Sequence, residues 1–238
     1  MLTPAQGHDD YGSHVLRYRW LGAGVANSPS AAAAPVAIPS PVSGGWQLNG
    51  AAMLNPAASP PNLQLTPTAN WVVGSAFYPT PVTGAGITAS FDVFLGSGSG
   101  ADGLTFTLAE ASVTKPTALG VTGGGEGFSG ITGIAVSFDT WKNTSDPSSN
   151  FVGIATTNSP QQSLNYVTTN SSIRTLRNAV HHVVVTTDAT GIRLTMDGTQ
   201  VLTYATKLPS EVLVGFTGST GQFATHDGSR KVRLPLQS

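Results

Sequence analysis

Strict alternation of apolar and polar residues limits what this chain can fold into more than any other feature. In the run Ile87-Thr88-Ala89-Ser90-Phe91-Asp92-Val93-Phe94-Leu95 every second residue, starting at Ile87, is apolar. Successive side chains of a strand point to opposite faces, so a period of two places one apolar face on a core. Ile134, Val136 and Phe138 repeat the pattern against Ala135, Ser137 and Asp139, and Val212, Val214 and Phe216 repeat it again. Ile192, Leu194 and Met196 lead into Asp197-Gly198, and Val201-Leu202-Thr203-Tyr204 follows. Asp-Gly between two such runs predicts a hairpin, because a type I′ turn needs positive φ at both central residues. Residues 181–187 add a β-branched run, and Gly, Pro, Asn and Ser cluster between the strands. No long stretch carries the 3.6-residue period of an amphipathic helix. About a dozen strands separated by turns predict an all-β fold of two packed antiparallel sheets. The absence of a fixed-period repeat disfavours a propeller or solenoid.

Composition agrees and narrows the function. Charged residues make up 10% of the 238, against about 25% in an average domain. Helix-forming Lys, Glu and Gln are scarce beside 28 Gly and 16 Pro, which disfavours a helical bundle. A formal net charge of -1 with no basic stripe argues against nucleic acid, whose affinity comes largely from Lys and Arg on phosphates. Without cysteine there is no thiol catalysis, disulfide framework or Cys-type zinc site. No window reaches the ~18 apolar residues of a transmembrane helix. Arg17, Arg19 and the small-residue stretch 30–34 are not separated by an apolar core, so no clear signal peptide is present. Residues 1–44 read as a disordered Ala/Pro/Ser-rich tail or linker with one short run of strand character at 15–20, and 45–238 as the folded domain.

Three polar segments stand out. Asp139-Thr140-Trp141-Lys142-Asn143-Thr144-Ser145-Asp146-Pro147 begins at a strand end and runs into a loop. Two carboxylates, an amide oxygen and loop carbonyls are the hard oxygen donors that calcium prefers, although the spacing is not that of an EF-hand. Such a loop also serves as a plain turn, since Asp and Asn bond their own backbone. Ala101-Asp102-Gly103 places one acid at the start of the apolar strand Leu104-Thr105-Phe106-Thr107-Leu108. Gly123-Gly124-Gly125-Glu126-Gly127 lets a ligand approach the backbone, but it lacks the GK[ST] and following helix of a nucleotide loop.

These segments occur in order with other strand-like runs: Trp46-Gln47-Leu48-Asn49-Gly50, Leu63-Gln64-Leu65-Thr66, Gly74-Ser75-Ala76-Phe77-Tyr78, Phe91-Asp92-Val93-Phe94, Asp188, the Asp197-Gly198 hairpin and 212–220. Over about residues 45–234 the chain resembles the legume-lectin-like (L-type lectin) family, particularly its bacterial members. The resemblance implies a concanavalin-A-like antiparallel β-sandwich (jelly roll) and a calcium-dependent, non-catalytic carbohydrate-binding domain. By that resemblance Asp139 and Asp146 are calcium ligands, joined by the Asn143 side chain and the Trp141 carbonyl. Asp102 accepts hydrogen bonds from two sugar hydroxyls, Gly124 donates its N–H, Asn143 donates its amide, and the Trp141 ring faces the sugar. It also implies a cis peptide between Ala101 and Asp102.

Two departures from the family pattern carry expectations of their own. Where two-metal members have Glu and His ligands, this chain has Ser137 and Phe151, so a calcium-only site is expected. Glu126 stands where the family's glycine loop usually has an apolar residue, which bears on the sugar contact.

The partners expected are glycans or glycoconjugates, with a homodimer through the back sheet also open and a secreted or cell-surface location. Two other classes compete with the lectin reading. A glycoside hydrolase of the same fold needs paired carboxylates about 5–5.5 Å apart if retaining, yet Glu110, Glu126 and Glu211 form no Glu-x-Asp-x-x-Glu pattern. No G-x-S-x-G elbow is present either. The other competitor is a structural or adhesive surface module with a degenerate sugar site. The remaining notable residues have bland readings. Adjacent His181 and His182 point to opposite faces of a strand and cannot readily share a metal. His226-Asp227 reads as structural, and the sequons at Asn143 and Asn170 as chance. Trp20 and Trp71 read as packing or loop aromatics, and Arg230, Lys231 and Arg233 as a solvated edge strand.

Overall fold

The computed structural model describes residues 37–96, 100–157, 159–222 and 230–233. Fifteen strands are found among them: β1 Gln47–Gly50, β2 Met53–Asn55, β3 Asn62–Thr66, β4 Val73–Phe77, β5 Val82–Thr83, β6 Thr88–Leu95, β7 Asp102–Glu110, β8 Gly133–Asp139, β9 Phe151–Thr156, β10 Asn165–Asn170, β11 Val180–Asp188, β12 Gly191–Met196, β13 Thr199–Ala205, β14 Glu211–Thr220 and β15 Arg230–Arg233. They form two sheets. The front sheet runs β1-β4-β14-β7-β8-β9-β10, with β5 beside β14. The back sheet runs β13-β12-β11-β6-β15-β3-β2. Strand neighbours in both sheets pair antiparallel.

The alternating runs place the core between the sheets. Phe91, Val93 and Leu95 of β6 and Val183 and Val185 of β11 are buried from the back sheet. Leu104, Phe106 and Leu108 of β7 and Val136 and Phe138 of β8 meet them from the front. At the centre, the Phe91 ring stacks on Phe106 at 5.2 Å and meets the edge of Phe216 at 5.0 Å. The expected Asp197-Gly198 hairpin joins β12 to β13, with φ of 50° and 81° at its two residues.

The front sheet differs from a one-sided pattern. β8 is buried on both faces, and β7 and β14 nearly so. Phe128, Ile131 and Leu164, from loops without periodicity, pack with Phe77, Ala109, Ala135, Ala155 and Leu213 as a second apolar layer. The small residues Ala135 and Ser137 therefore lie under a loop cover rather than in water.

The basic run 230–233 corrects the edge-strand reading. β15 pairs with β3 on one side and β6 on the other, so both its hydrogen-bonding edges are filled. The charge of a run does not mark whether its backbone is paired; Val232 is buried. Of the expected tail, residues 1–36 lie outside the described residues, as does His226-Asp227. Residues 41–43 form a short 3-10 turn with Pro41 buried.

The aromatic cluster joins the two sheets, so truncating it leaves a cavity at their interface. Phe106→Ala is expected to lower the unfolding free energy by about 3–5 kcal/mol, read as a lower urea midpoint with an unchanged slope.

Candidate functional site

Antiparallel register brings the three polar segments together. The start of β7 lies beside the end of β8 and the end of β14: Gly103 pairs with Asp139, and Thr220 with Asp102. Asp102 and Asp139 are thus neighbours across two strands although 37 residues apart in the sequence. The Ala101–Asp102 peptide is cis, as the resemblance implies.

The glycine loop is pinned onto this strand end. Thr217 Oγ1 donates to the Glu126 carbonyl at 2.7 Å, and Ser219 Oγ donates to the Gly123 carbonyl at 2.6 Å. A Cβ on Gly124 would lie 2.4 Å from Asn143 Nδ2, so only glycine admits that amide. Asn143 Nδ2 also approaches Asp102 Oδ1 at 3.5 Å. Asp102, Gly124, Trp141 and Asn143 line one cleft together with Trp71 and Gln162. Those first four are the residues singled out as sugar-reading.

Asp139 and Asp146 lie beside the cleft, 1% and 5% exposed. Asp139 Oδ1 accepts the Trp141 N–H at 2.7 Å, and Asp146 Oδ2 accepts the Asn143 N–H at 2.8 Å. The loop is therefore wound around its own carboxylates. Burial raises the Asp139 carboxyl well above the ordinary carboxylate range; the Trp141 N–H opposes this, and the charges of Asp146 and Asp102 add to it. Mutually repelling buried carboxylates, an amide oxygen and a loop carbonyl fit a hard divalent cation. Among the described residues no three His, Cys, Asp or Glu side chains form a metal cluster by themselves. A calcium ion here would need the Asn143 and Trp141 oxygens as well as the two carboxylates.

Glu126 does not enter the cleft. It adopts a left-handed conformation with φ of 49° and turns inward, fully buried. Its Oε2 accepts from Ser137 Oγ at 2.7 Å. The side chain passes over Gly103, where a Cβ would meet Oε1 at 2.2 Å. Ser137 Oγ also lies 3.0 Å from the Tyr166 hydroxyl, which donates to Asp139 Oδ2 at 3.2 Å. Phe151, fully buried, meets the edge of Tyr166 at 5.1 Å. Burial, and then the Asp139 charge, push the Glu126 carboxyl well above its usual range. Oε1 meets no hydrogen-bond donor.

Of the two readings given to Trp71, packing or loop aromatic, the structure bears out the second: it sits in a turn. It is 53% exposed, holds φ at 56°, and lines the cleft. A left-handed conformation is an outlier for so bulky a residue and persists only where surroundings enforce it. Here the Trp71 N–H donates to the Gly221 carbonyl, and Thr220 Oγ1 both accepts from Val72 N–H and donates to the Ala69 carbonyl. Its sequence neighbours give no hint of this, because the contacts come from the far end of β14. His181 is buried against Asp197 at 2.7 Å, while His182 faces Asp92 on the other side of β11 at 2.8 Å, so the two do not share a site.

The raised carboxyls have a pH consequence. A carboxyl whose folded pKa lies above its unfolded one binds more protons when folded, so stability falls as pH rises between the two values. Without calcium, the melting temperature is expected to fall as pH rises through and above the ordinary carboxylate range. Asp188 and Asp197 are shifted the other way, downward, and act only below this window. Glu126→Gln should raise the calcium-free melting temperature at the alkaline end and flatten the slope. A melting temperature that climbs with pH across the window contradicts the assignment.

With this geometry in hand, comparison with known proteins identifies the family. The legume lectin domain model matches residues 46–228. No match was found among curated protein sequences. Among solved structures, the Lotus tetragonolobus seed lectin superposes with a TM-score of 0.60 at 19% identity, covering 79% of this chain and 90% of that one. A Bauhinia forficata lectin in complex with GalNAc gives 0.59 at 22%, covering 80% and 90%. The VIP36 exoplasmic/lumenal domain, in a Ca2+/Man-bound form, gives 0.60 at 13%, covering 82% and 84%. The two antiparallel sheets are thus the concanavalin-A-like fold of legume lectins, and the chain belongs to the legume lectin domain family, whose members are non-catalytic carbohydrate-binding proteins.

Proposed function

We propose that the domain binds neutral sugars in a calcium-dependent way through the cleft at the ends of β7, β8 and β14. The observation that carries this reading is the convergence of Asp102, Gly124 and Asn143 on one cleft beside the buried pair Asp139 and Asp146. The calcium-bound form of a solved relative supports it. Asp139, Asp146, the Asn143 oxygen and the Trp141 carbonyl would hold the ion. Bound there, calcium supplies charge that offsets the buried carboxylates and rigidity that fixes the loop.

The chain's own groups then do the reading. Asp102 accepts from sugar hydroxyls in charge-assisted bonds. The Gly124 N–H and the Asn143 amide are donors set against it. Trp71 and Trp141 offer flat apolar walls to the C–H face of a pyranose. No Lys or Arg lines the cleft among the described residues, which favours an uncharged sugar over an acidic one. A single site of this kind binds weakly; a millimolar dissociation constant is about −4 kcal/mol. Useful avidity then comes from presenting several copies. A calcium-dependent sugar site of modest affinity suits a secreted or cell-surface setting.

The test is a glycan array with wild-type protein and two variants. Asp102→Ala should abolish binding while leaving the circular dichroism spectrum unchanged. Trp71→Ala should keep the same glycan preference but weaken binding about two- to tenfold, the range of one lost aromatic contact of about 0.5–1.5 kcal/mol. Full binding by Asp102→Ala would contradict the proposed site.

A further inference from the structure

The cleft exists only while two loops keep their places: the one that ends at Asp102 and the one that starts at Asp139. The Arg177 guanidinium touches both. Its Nη2 donates to the Gly100 carbonyl, to Thr140 Oγ1 at 2.6 Å and to the Thr140 carbonyl at 3.3 Å. Its Nη1 reaches the Gly96 carbonyl at 3.4 Å. Thr140 passes the contact on. Its hydroxyl donates to the Asp102 carbonyl at 2.7 Å, and its N–H donates to the same oxygen at 3.0 Å. A hydroxyl has one proton and two lone pairs, so Thr140 can accept from Arg177 and donate to Asp102 at once.

Arg177 is itself firmly seated. It forms a bridge with Leu95 at the end of β6, and the Asn178 N–H donates to the Leu95 carbonyl at 3.1 Å. Leu176, before it, is buried in the core, with its N–H on Asn150 Oδ1 at 2.8 Å. Burial lowers the basicity of the guanidinium, and the charges of Asp139 and then Asp102 oppose that effect. Arg177 is not among the residues lining the cleft.

We infer that Arg177 is a positioning residue that locks the Asp102 loop to the Asp139 loop, so that the sugar-reading carboxylate and the calcium-holding strand end stay in register. The inference rests on the lectin reading for what the cleft binds. A planar guanidinium with donors at fixed angles can span Gly100 and Thr140, whereas a lysine ammonium is a single point on a flexible stem.

The experiment compares wild type with Arg177→Lys, Arg177→Ala and Thr140→Val. Hydrogen exchange is read at residues 100–104 and 139–143, and sugar affinity at saturating calcium. Both segments should exchange faster in both Arg177 variants while the rest of the sheets is unchanged. Sugar affinity should fall about tenfold or more in Arg177→Ala, the loss expected for a hydrogen bond to a charged group. Arg177→Lys should recover only part of it. Thr140→Val keeps the shape but breaks the relay, and should weaken binding in the same direction; it carries the test if Arg177→Ala does not fold. Faster exchange in one segment alone, or an Arg177→Lys protein equal to wild type in exchange and affinity, overturns the clamp. A wild-type protein that binds no glycan overturns the lectin reading instead, and the exchange data still decide the clamp.

Discussion

Burial of several carboxyl groups at one end of a β-sandwich is the constraint on which the rest of this site depends. Asp102, Asp139, Asp146 and Glu126 are each no more than 5% exposed. Charges taken from water are tolerated only when hydrogen-bonded, paired or neutralised. Each group here meets that demand differently. Asp139 and Asp146 are wrapped by loop N–H groups. Glu126 rests on Ser137 and favours its protonated form. Arg177 supplies a cation behind Asp102 and Asp139. What these devices leave uncompensated is negative charge in a set of hard oxygens, which the proposed calcium ion would offset.

The fold provides the precision. Three adjacent strands begin or end at the same level of the front sheet, so residues far apart in the sequence arrive within one cleft. The loop layer over that sheet then holds the glycine loop through Thr217 and Ser219. Binding residues on loops need such a rigid scaffold, because a sugar is recognised by fixed directions of donors and acceptors.

Much of this was legible in the sequence, for physical reasons. β6, β11 and β12 follow alternation because one of their faces meets the core, and the hairpin at Asp197-Gly198 follows from the positive φ that such turns require. Asp102, Gly124, Trp141 and Asn143 were nameable as candidates through the order of their motifs, and they share one cleft. What could not be read depends on contacts between distant segments. β8 looked half-exposed because its cover, from Phe128, Ile131 and Leu164, has no period. The inward turn of Glu126 needs room made by Gly103 and Ser137, which only the β7–β8 register reveals. Trp71 and Arg177 sit in irregular segments and take their roles from Gly221, Gly100 and Thr140. Charge alone misplaced β15, since paired backbone leaves no mark on side-chain polarity.

The claim that joins these observations is that an occupied cation site holds the sugar-reading groups in place. The most direct measurement is sugar affinity as a function of free calcium, with calcium binding followed independently by calorimetry on the same protein. The account predicts a saturable rise in sugar affinity whose midpoint coincides with calcium binding, and loss of that rise in Asp139→Asn. Sugar affinity that stays constant from chelator to saturating calcium would contradict it.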